Sequence, residues 1–244
     1  MLAAARSDHA GTGRRCLHLA TRRCTLSPVT GYPHTTVVSM LKGGPGKTTS
    51  AWYLALAMSR RGEKVVAIDT DSLSQGLSDW HQLAISAGLT VPFAVRQWFG
   101  EPRGLAAFVA MSAAEVGATR VVIDTGGEQA DMFGAACVVA QQLIAPVGPM
   151  LGEIRRVPAT MEAAARADAI APIDCAVLLT RVSQPGRGAA KDAREALEQA
   201  GAFVLATEIG DRRTEFASAW GTVPADLSEY GRLVEELETE RQAA

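Results

Sequence analysis

Residues 42–49 read Lys-Gly-Gly-Pro-Gly-Lys-Thr-Thr, a run whose residue types and spacing suit the binding of phosphate. Gly43, Gly44 and Gly46 allow the backbone to curl until successive N–H groups converge on an anion, while Pro45 gives up one donor. Lys47 can reach β and γ phosphates, Thr48 offers a hydroxyl to Mg²⁺, and Thr49 closes the nucleotide-binding stretch. The usual spelling, G-x-x-x-x-G-K-[ST], asks for a glycine five residues before Gly46. Leu41 stands there instead, followed by a second lysine, Lys42.

Three carboxylates stand at the ends of apolar runs. Asp69 closes "KVVAID" (64–69), with Asp71 two residues on, and Asp124 lies in "TRVVIDT" (119–125). A carboxylate ending a buried strand is costly unless it meets a cation or good donors. Asp69 and Asp71 also read as acids capping a following helix.

These residues need strand-to-turn-to-helix junctions to position them, and the sequence supplies the elements. From Thr35 onward, short β-branched runs alternate with alanine-rich segments of helical period, which predicts an α/β fold. Its sheet is a mostly parallel, twisted one of about seven strands with helices on both faces. The strands fall at 35–41, 64–69, 91–95, 119–125, 142–147, 175–181 and 202–209. Helices fall at 48–62 (closed by Gly62), 103–116, 151–169, 187–200 and about 226–241. Right-handed crossovers place the carboxyl ends of such strands on one edge, where ligands bind.

Bulk composition narrows the reading without deciding it. The chain has 244 residues, 48% of them apolar, and a net charge of −2, so affinity for nucleic acid would need a local patch. Residues 34–244 suit one domain. Residues 1–33 carry Arg6, Arg14, Arg15, Arg22 and Arg23 against the single acid Asp8. That stretch reads as a flexible basic extension in preference to a transit peptide or a DNA-contacting tail. Cysteines 16, 24, 137 and 175 lack metal-ligand spacing, and no apolar run has the length of a membrane span.

The run Lys42 to Thr49 resembles the deviant Walker A loop, K-G-G-x-G-K-[ST], of the ParA/MinD group of P-loop ATPases, closest to ParA-type partition proteins. The resemblance extends over roughly 35–238. "VVAIDTDSLSQGLSDW" (65–80) is similar to the D-x-D-P-Q-G-N motif, "VVIDTGG" (121–127) to the Walker B strand D-x-P-P, and "GDRRTEFASAWGTVP" (210–224) to a C-terminal R-x-x-x-x-A-x-x-x-G segment. Two departures stand out: Ser-Leu-Ser-Gln follows Asp71, and Gly126-Gly127 replace the prolines.

The resemblance implies an ATPase using ATP and Mg²⁺, with Lys42, Lys47 and Asp71 as catalytic residues. Lys42 would reach the partner's nucleotide in an ATP-dependent homodimer, and Asp71 would orient the attacking water. Asp69 would sense the metal or shape a switch, and Asp124, with Thr48, would hold Mg²⁺, the aspartate through water. It further implies non-specific DNA, a DNA-bound ParB-like adaptor, a role in DNA segregation, and a cytoplasmic, nucleoid-associated location. Thr180-Arg181 stands roughly where some relatives carry an asparagine that contacts adenine.

For DNA, Arg187, Lys191 and Arg194 fall at i, i+4 and i+7 of a predicted helix, with Asp192, Glu195 and Glu198 expected on another face. Arg213 matches the arginine of the C-terminal segment. An ordinary solvated helix face explains the stripe equally well. Three other readings compete: a nucleotide-gated scaffold that hydrolyses little, an iron–sulfur relative using Cys137, and a membrane-attached protein, which the acidic end "LVEELETERQAA" disfavours.

Overall fold

A computed structural model describes residues 33–41, 46–183 and 187–243. Six strands form one parallel sheet: β1 (His34–Val38), β2 (Val65–Asp69), β3 (Ala94–Gln97), β4 (Arg120–Asp124), β5 (Gln142–Val147) and β6 (Asp174–Leu179), in the order β3-β2-β4-β1-β5-β6. The central strands β2 and β4 are buried along their whole length because both faces are covered, whereas β3 at the sheet edge, Ala-Val-Arg-Gln, is only partly buried. Val38, Val65, Ala67 and Val122 point into one layer with α1 (Lys47–Arg60), α2 (Gly76–Ser86) and α9 (Tyr230–Ala243). Val37, Val66, Ile68, Val121 and Ile123 point into the other, against α3 (Leu105–Val116), α4 (Ala130–Val139) and α6 (Val157–Asp168).

The helix ends follow local chemistry. Gly62 adopts a left-handed φ of 89° just past α1, and Gly62 and Glu63 return their N–H groups to Ser59 and Met58, as a helix-terminating glycine does. The helix expected over 151–169 is split into α5 (Leu151–Ile154) and α6, because Pro158 has no N–H to give the carbonyl of Ile154.

The seventh expected strand, 202–209, runs beside β6 but makes only isolated bridges, Val177 to Val204 and Val182 to Gly210. Glu236 of α9 accepts the N–H groups of Ala206 and Thr207 at 2.6 and 2.8 Å, drawing those donors away from the ladder. The two remaining helices are α7 (Arg187–Gln199) and the short α8 (Arg213–Ala219). Among the described residues no helix is long and apolar enough to cross a membrane.

Candidate nucleotide site at the carboxyl edge of the sheet

Three neighbouring strands end together. Register places Val38 of β1 beside Asp124 of β4, and Asp124 beside Asp69 of β2. The chain leaving β1 reaches Gly46, whose left-handed φ of 92° would strain any side chain, and α1 begins at Lys47. Lys47, Thr48 and Thr49 therefore form a first helical turn, where N–H groups have no intrahelical acceptor and the dipole is positive. No side chain caps this end and no acid occupies its first turn, so nothing of the helix's own satisfies an anion's place. Lys42, Gly43, Gly44 and Pro45 lie outside the described residues.

Beneath that turn sits Asp124, 1% exposed, with neither carboxylate oxygen accepting a hydrogen bond. Burial pushes its pKa up to about 8; the Thr48 hydroxyl and Lys47 pull it down, and Asp69 and Asp71 push it further up. The nearness of Thr48 lowers the cost of charge there without supplying a bond of proper geometry to either oxygen. An unpartnered buried carboxylate next to a threonine hydroxyl is a donor set that a hard cation fits, directly or through water. Behind it, Thr70 binds the Asp124 carbonyl through both its N–H and its hydroxyl at 2.9 Å, and Ser39 pairs with Thr125 through their hydroxyls.

The other two aspartates are occupied. Asp69 is fully buried and accepts the N–H of Asp71 at 3.0 Å and that of Ser78 at 2.9 Å. Burial raises its pKa against those bonds. Asp71 accepts the N–H groups of Leu73 and Ser74 at 3.1 Å and the Ser74 hydroxyl at 2.6 Å. Burial would raise it, but the Ser74 and Leu73 bonds and the positive charge of Lys47 prevail and hold it below the ordinary carboxylate range. Both thus act as turn and helix caps in this state.

The structure brings Gly46, Lys47, Thr48, Thr49, Asp69, Asp71 and Asp124 to one edge. It adds Gly76, where a Cβ would stand 3.2 Å from the Thr48 methyl and 3.4 Å from the Trp220 ring. The sequence signal for Gly76 was the glycine of the D-x-D-P-Q-G-N motif; Gln75, in a left-handed conformation with φ 49°, is the residue that precedes α2. Trp220 packs against Trp80 with centroids 4.7 Å apart and the rings tilted by 38°, a long-range packing that no local pattern announces. Thr180, at the end of β6, is buried with its hydroxyl unpartnered.

The basic residues are arranged differently from the expectation. Arg194 is drawn inward: it donates to the carbonyls of Val204 and Leu205 and pairs with Glu208 at 2.9 Å. Glu195 and Glu198, expected on another face, lie within 3.7 Å of Lys191 and 3.8 Å of Arg194, because i and i+4 share a helix face. Arg187 is exposed, and Arg213 is exposed but paired with Asp211 at 2.9 Å. Cys137 is fully buried in the layer of α3, α4 and α6, where burial pushes its thiol well above the ordinary range.

Residues 36–243 match the CbiA family model, the CobQ/CobB/MinD/ParA nucleotide binding domain. The chain belongs to this family. Within the CobQ/CobB/MinD/ParA group, maintenance of carboxysome distribution protein A of Gloeobacter kilaueensis is 31% identical over 194 residues, spanning 77% of this chain and 83% of that protein. A plasmid partition protein from Borrelia burgdorferi superposes with a TM-score of 0.64 at 16% identity, over 85% of this chain and 99% of that one. A cobyrinic acid a,c-diamide synthase from Mycobacterium smegmatis, solved with ADP and magnesium, gives 0.64 at 17% identity, over 87% and 96%. The six-stranded parallel sheet flanked by helices is thus the fold of MinD/ParA-type P-loop proteins, a family of ATPases that includes carboxysome-positioning members.

Proposed function

We propose that the chain is a ParA-type positioning ATPase that binds Mg²⁺-ATP at the edge formed by β1, β2, β4 and α1. The observation that carries this reading is Asp124: a buried carboxylate with no hydrogen bond, set under an uncapped helix N-terminus that holds Lys47 and Thr48. An anion above and a cation below would complete both halves of that arrangement. The cobyrinic acid synthase solved with ADP and magnesium has the same fold.

In this reading Lys47 and the first N–H groups of α1 neutralise the phosphates, and Thr48 and Asp124, the latter through water, would hold Mg²⁺, which shields phosphate charge. Lys42 of a second copy completes the site, so ATP favours a homodimer and hydrolysis dissolves it. Asp71 orients the water whose oxygen bonds to the γ-phosphorus as the bridging P–O bond breaks and ADP departs with the electron pair. The dimer holds DNA without regard to sequence, and a DNA-bound, ParB-like adaptor stimulates turnover. That cycle distributes a cargo over the nucleoid in the cytoplasm: a replicon, as with the Borrelia protein, or a larger body, as with the Gloeobacter one. Arg187, Lys191 and Arg213 are the residues offered for DNA; Arg194 is committed to packing.

Calorimetry with Mg²⁺-ATP tests the site. Lys47→Ala abolishes binding in this reading, and unchanged binding overturns it. Light scattering with a non-hydrolysable triphosphate tests the dimer, and a purely monomeric saturated protein overturns that part. The three bonds closing off Asp71 also favour a second reading, a nucleotide-gated scaffold with little turnover. Phosphate release with DNA and adaptor present separates the two.

A further inference from the structure

Three hydrogen bonds from its own turn hold the half-buried Asp71 carboxylate in one orientation, in competition with any water it would have to orient. One oxygen takes two backbone N–H groups and the other takes the Ser74 hydroxyl at 2.6 Å, a short bond to an ionised acceptor. The same carboxylate rests against the loop that follows Asp124. A Cβ on Gly126 would stand 3.0 Å from Asp71 Oδ1 and 3.1 Å from its carboxyl carbon, distances at which something must give way. A second tie joins these loops, the Gln129 side-chain amide donating to the Ser72 hydroxyl at 2.8 Å.

Resting on the ATPase reading above, we propose that Ser74 and Gly126 form a latch that keeps Asp71 in an inactive seat until the loop after Asp124 shifts. Ser74 supplies the bond and Gly126 the room. Because Asp124 and the 125–129 loop are one continuous segment, a change at the cation end reaches the latch through Gly126 and Gln129. Ser74 and Gly126 are positioning residues and touch no substrate; both stand where this chain departs from the family's motifs.

The full chain serves for the test, with unstimulated phosphate release from Mg²⁺-ATP as the readout. Ser74→Ala raises kcat about tenfold, the worth of one bond to an ionised acceptor, with KM unchanged, and Ser74→Thr, which keeps the hydroxyl, restores the slow rate. Gly126→Ala, which crowds the seat, also raises kcat. A fall or no change in kcat for both Ser74→Ala and Gly126→Ala, with circular dichroism unaltered, overturns the latch. Carbon-13 titration of the Asp71 carboxyl separates this failure from failure of the ATPase reading. If no variant hydrolyses ATP, the ATPase reading falls and the latch with it; if the chain hydrolyses ATP but Ser74→Ala leaves the Asp71 titration unmoved, the latch alone is overturned, and a titration moved up toward the ordinary value supports it.

Discussion

Replacing Asp124 by Asn should stabilise the metal-free protein and abolish what makes it useful. The native carboxyl titrates near 8 and the unfolded one near 3.8, so stability is fully present below about pH 3.8 and is lost as pH rises through the native value. At pH 7 the loss amounts to about 4 kcal/mol at most, since each pKa unit is worth about 1.4 kcal/mol. An asparagine of the same shape carries no such cost but leaves a buried amide short of partners, about 2 kcal/mol. The net gain of about 2 kcal/mol converts to about 4–8 °C in Tm for a chain of this size. At pH 5 the ionisation cost shrinks to about 2 kcal/mol and the advantage vanishes. Thermal unfolding with EDTA and no nucleotide, from pH 5 to 8, reads this directly. The wild type alone should gain Tm on adding Mg²⁺-ATP. A variant no more stable than wild type at pH 8, or one whose advantage grows toward pH 5, refutes the account of Asp124 as a buried carboxyl that must take up a proton to fold without its cation.

Other perturbations have defined outcomes. Burial, with Arg120 and Arg241 nearby, lowers the pKa of His34 from 6.5 to about 4 against the opposing pull of Glu238 and Glu63. Stability is therefore present above pH 6.5 and lost as pH falls toward 4, by about 3 kcal/mol, and His34→Gln should flatten that slope in chemical denaturation. Arg194→Ala should lower Tm by about 3–6 °C through lost bonds to Val204, Leu205 and Glu208. DNA retention at fixed salt should change less with it than with Arg187→Ala plus Lys191→Ala; the reverse order would put Arg194 on the DNA. Trp220 packs against Trp80 and against Gly76, which abuts Thr48, so nucleotide should alter tryptophan emission and Trp220→Phe should remove most of the change.

Much of this site was legible in the sequence because its determinants are local. A glycine-lysine-threonine turn after a β-branched run is both a backbone instruction and a chemical one, and aspartates closing β2 and β4 were visible as charges ending apolar stretches. Gly62 announced the end of α1 for a similarly local reason. What stayed hidden depends on distant partners. The seventh strand gave only isolated bridges because Glu236 captured two of its donors, and Arg194 left the exposed basic stripe because it found carbonyls on the following segment. Helix α4 is apolar on most sides, so its period gave no amphipathic signal to separate it from a buried strand.

The two departures from the family's motifs have one physical explanation when taken together. A proline at 126 would bring an ideal Cβ to 3.0 Å from Asp71 Oδ1, tighter than ordinary contact, so the carboxylate would have to give by a few tenths of an ångström. Glycine opens that seat, and the seat holds a carboxylate only if donors face it, which Ser74 provides through both its hydroxyl and its N–H. Each change alone is a loss: glycine at 126 without Ser74 leaves an empty notch, and Ser74 with a side chain at 126 meets a displaced acceptor. A double-mutant cycle of Ser74→Ala and Gly126→Ala, read in unstimulated kcat, should therefore be strongly non-additive, the double variant scarcely faster than either single one. Additive effects would mean that the two residues act on turnover separately, and the pairing of the departures would need another cause.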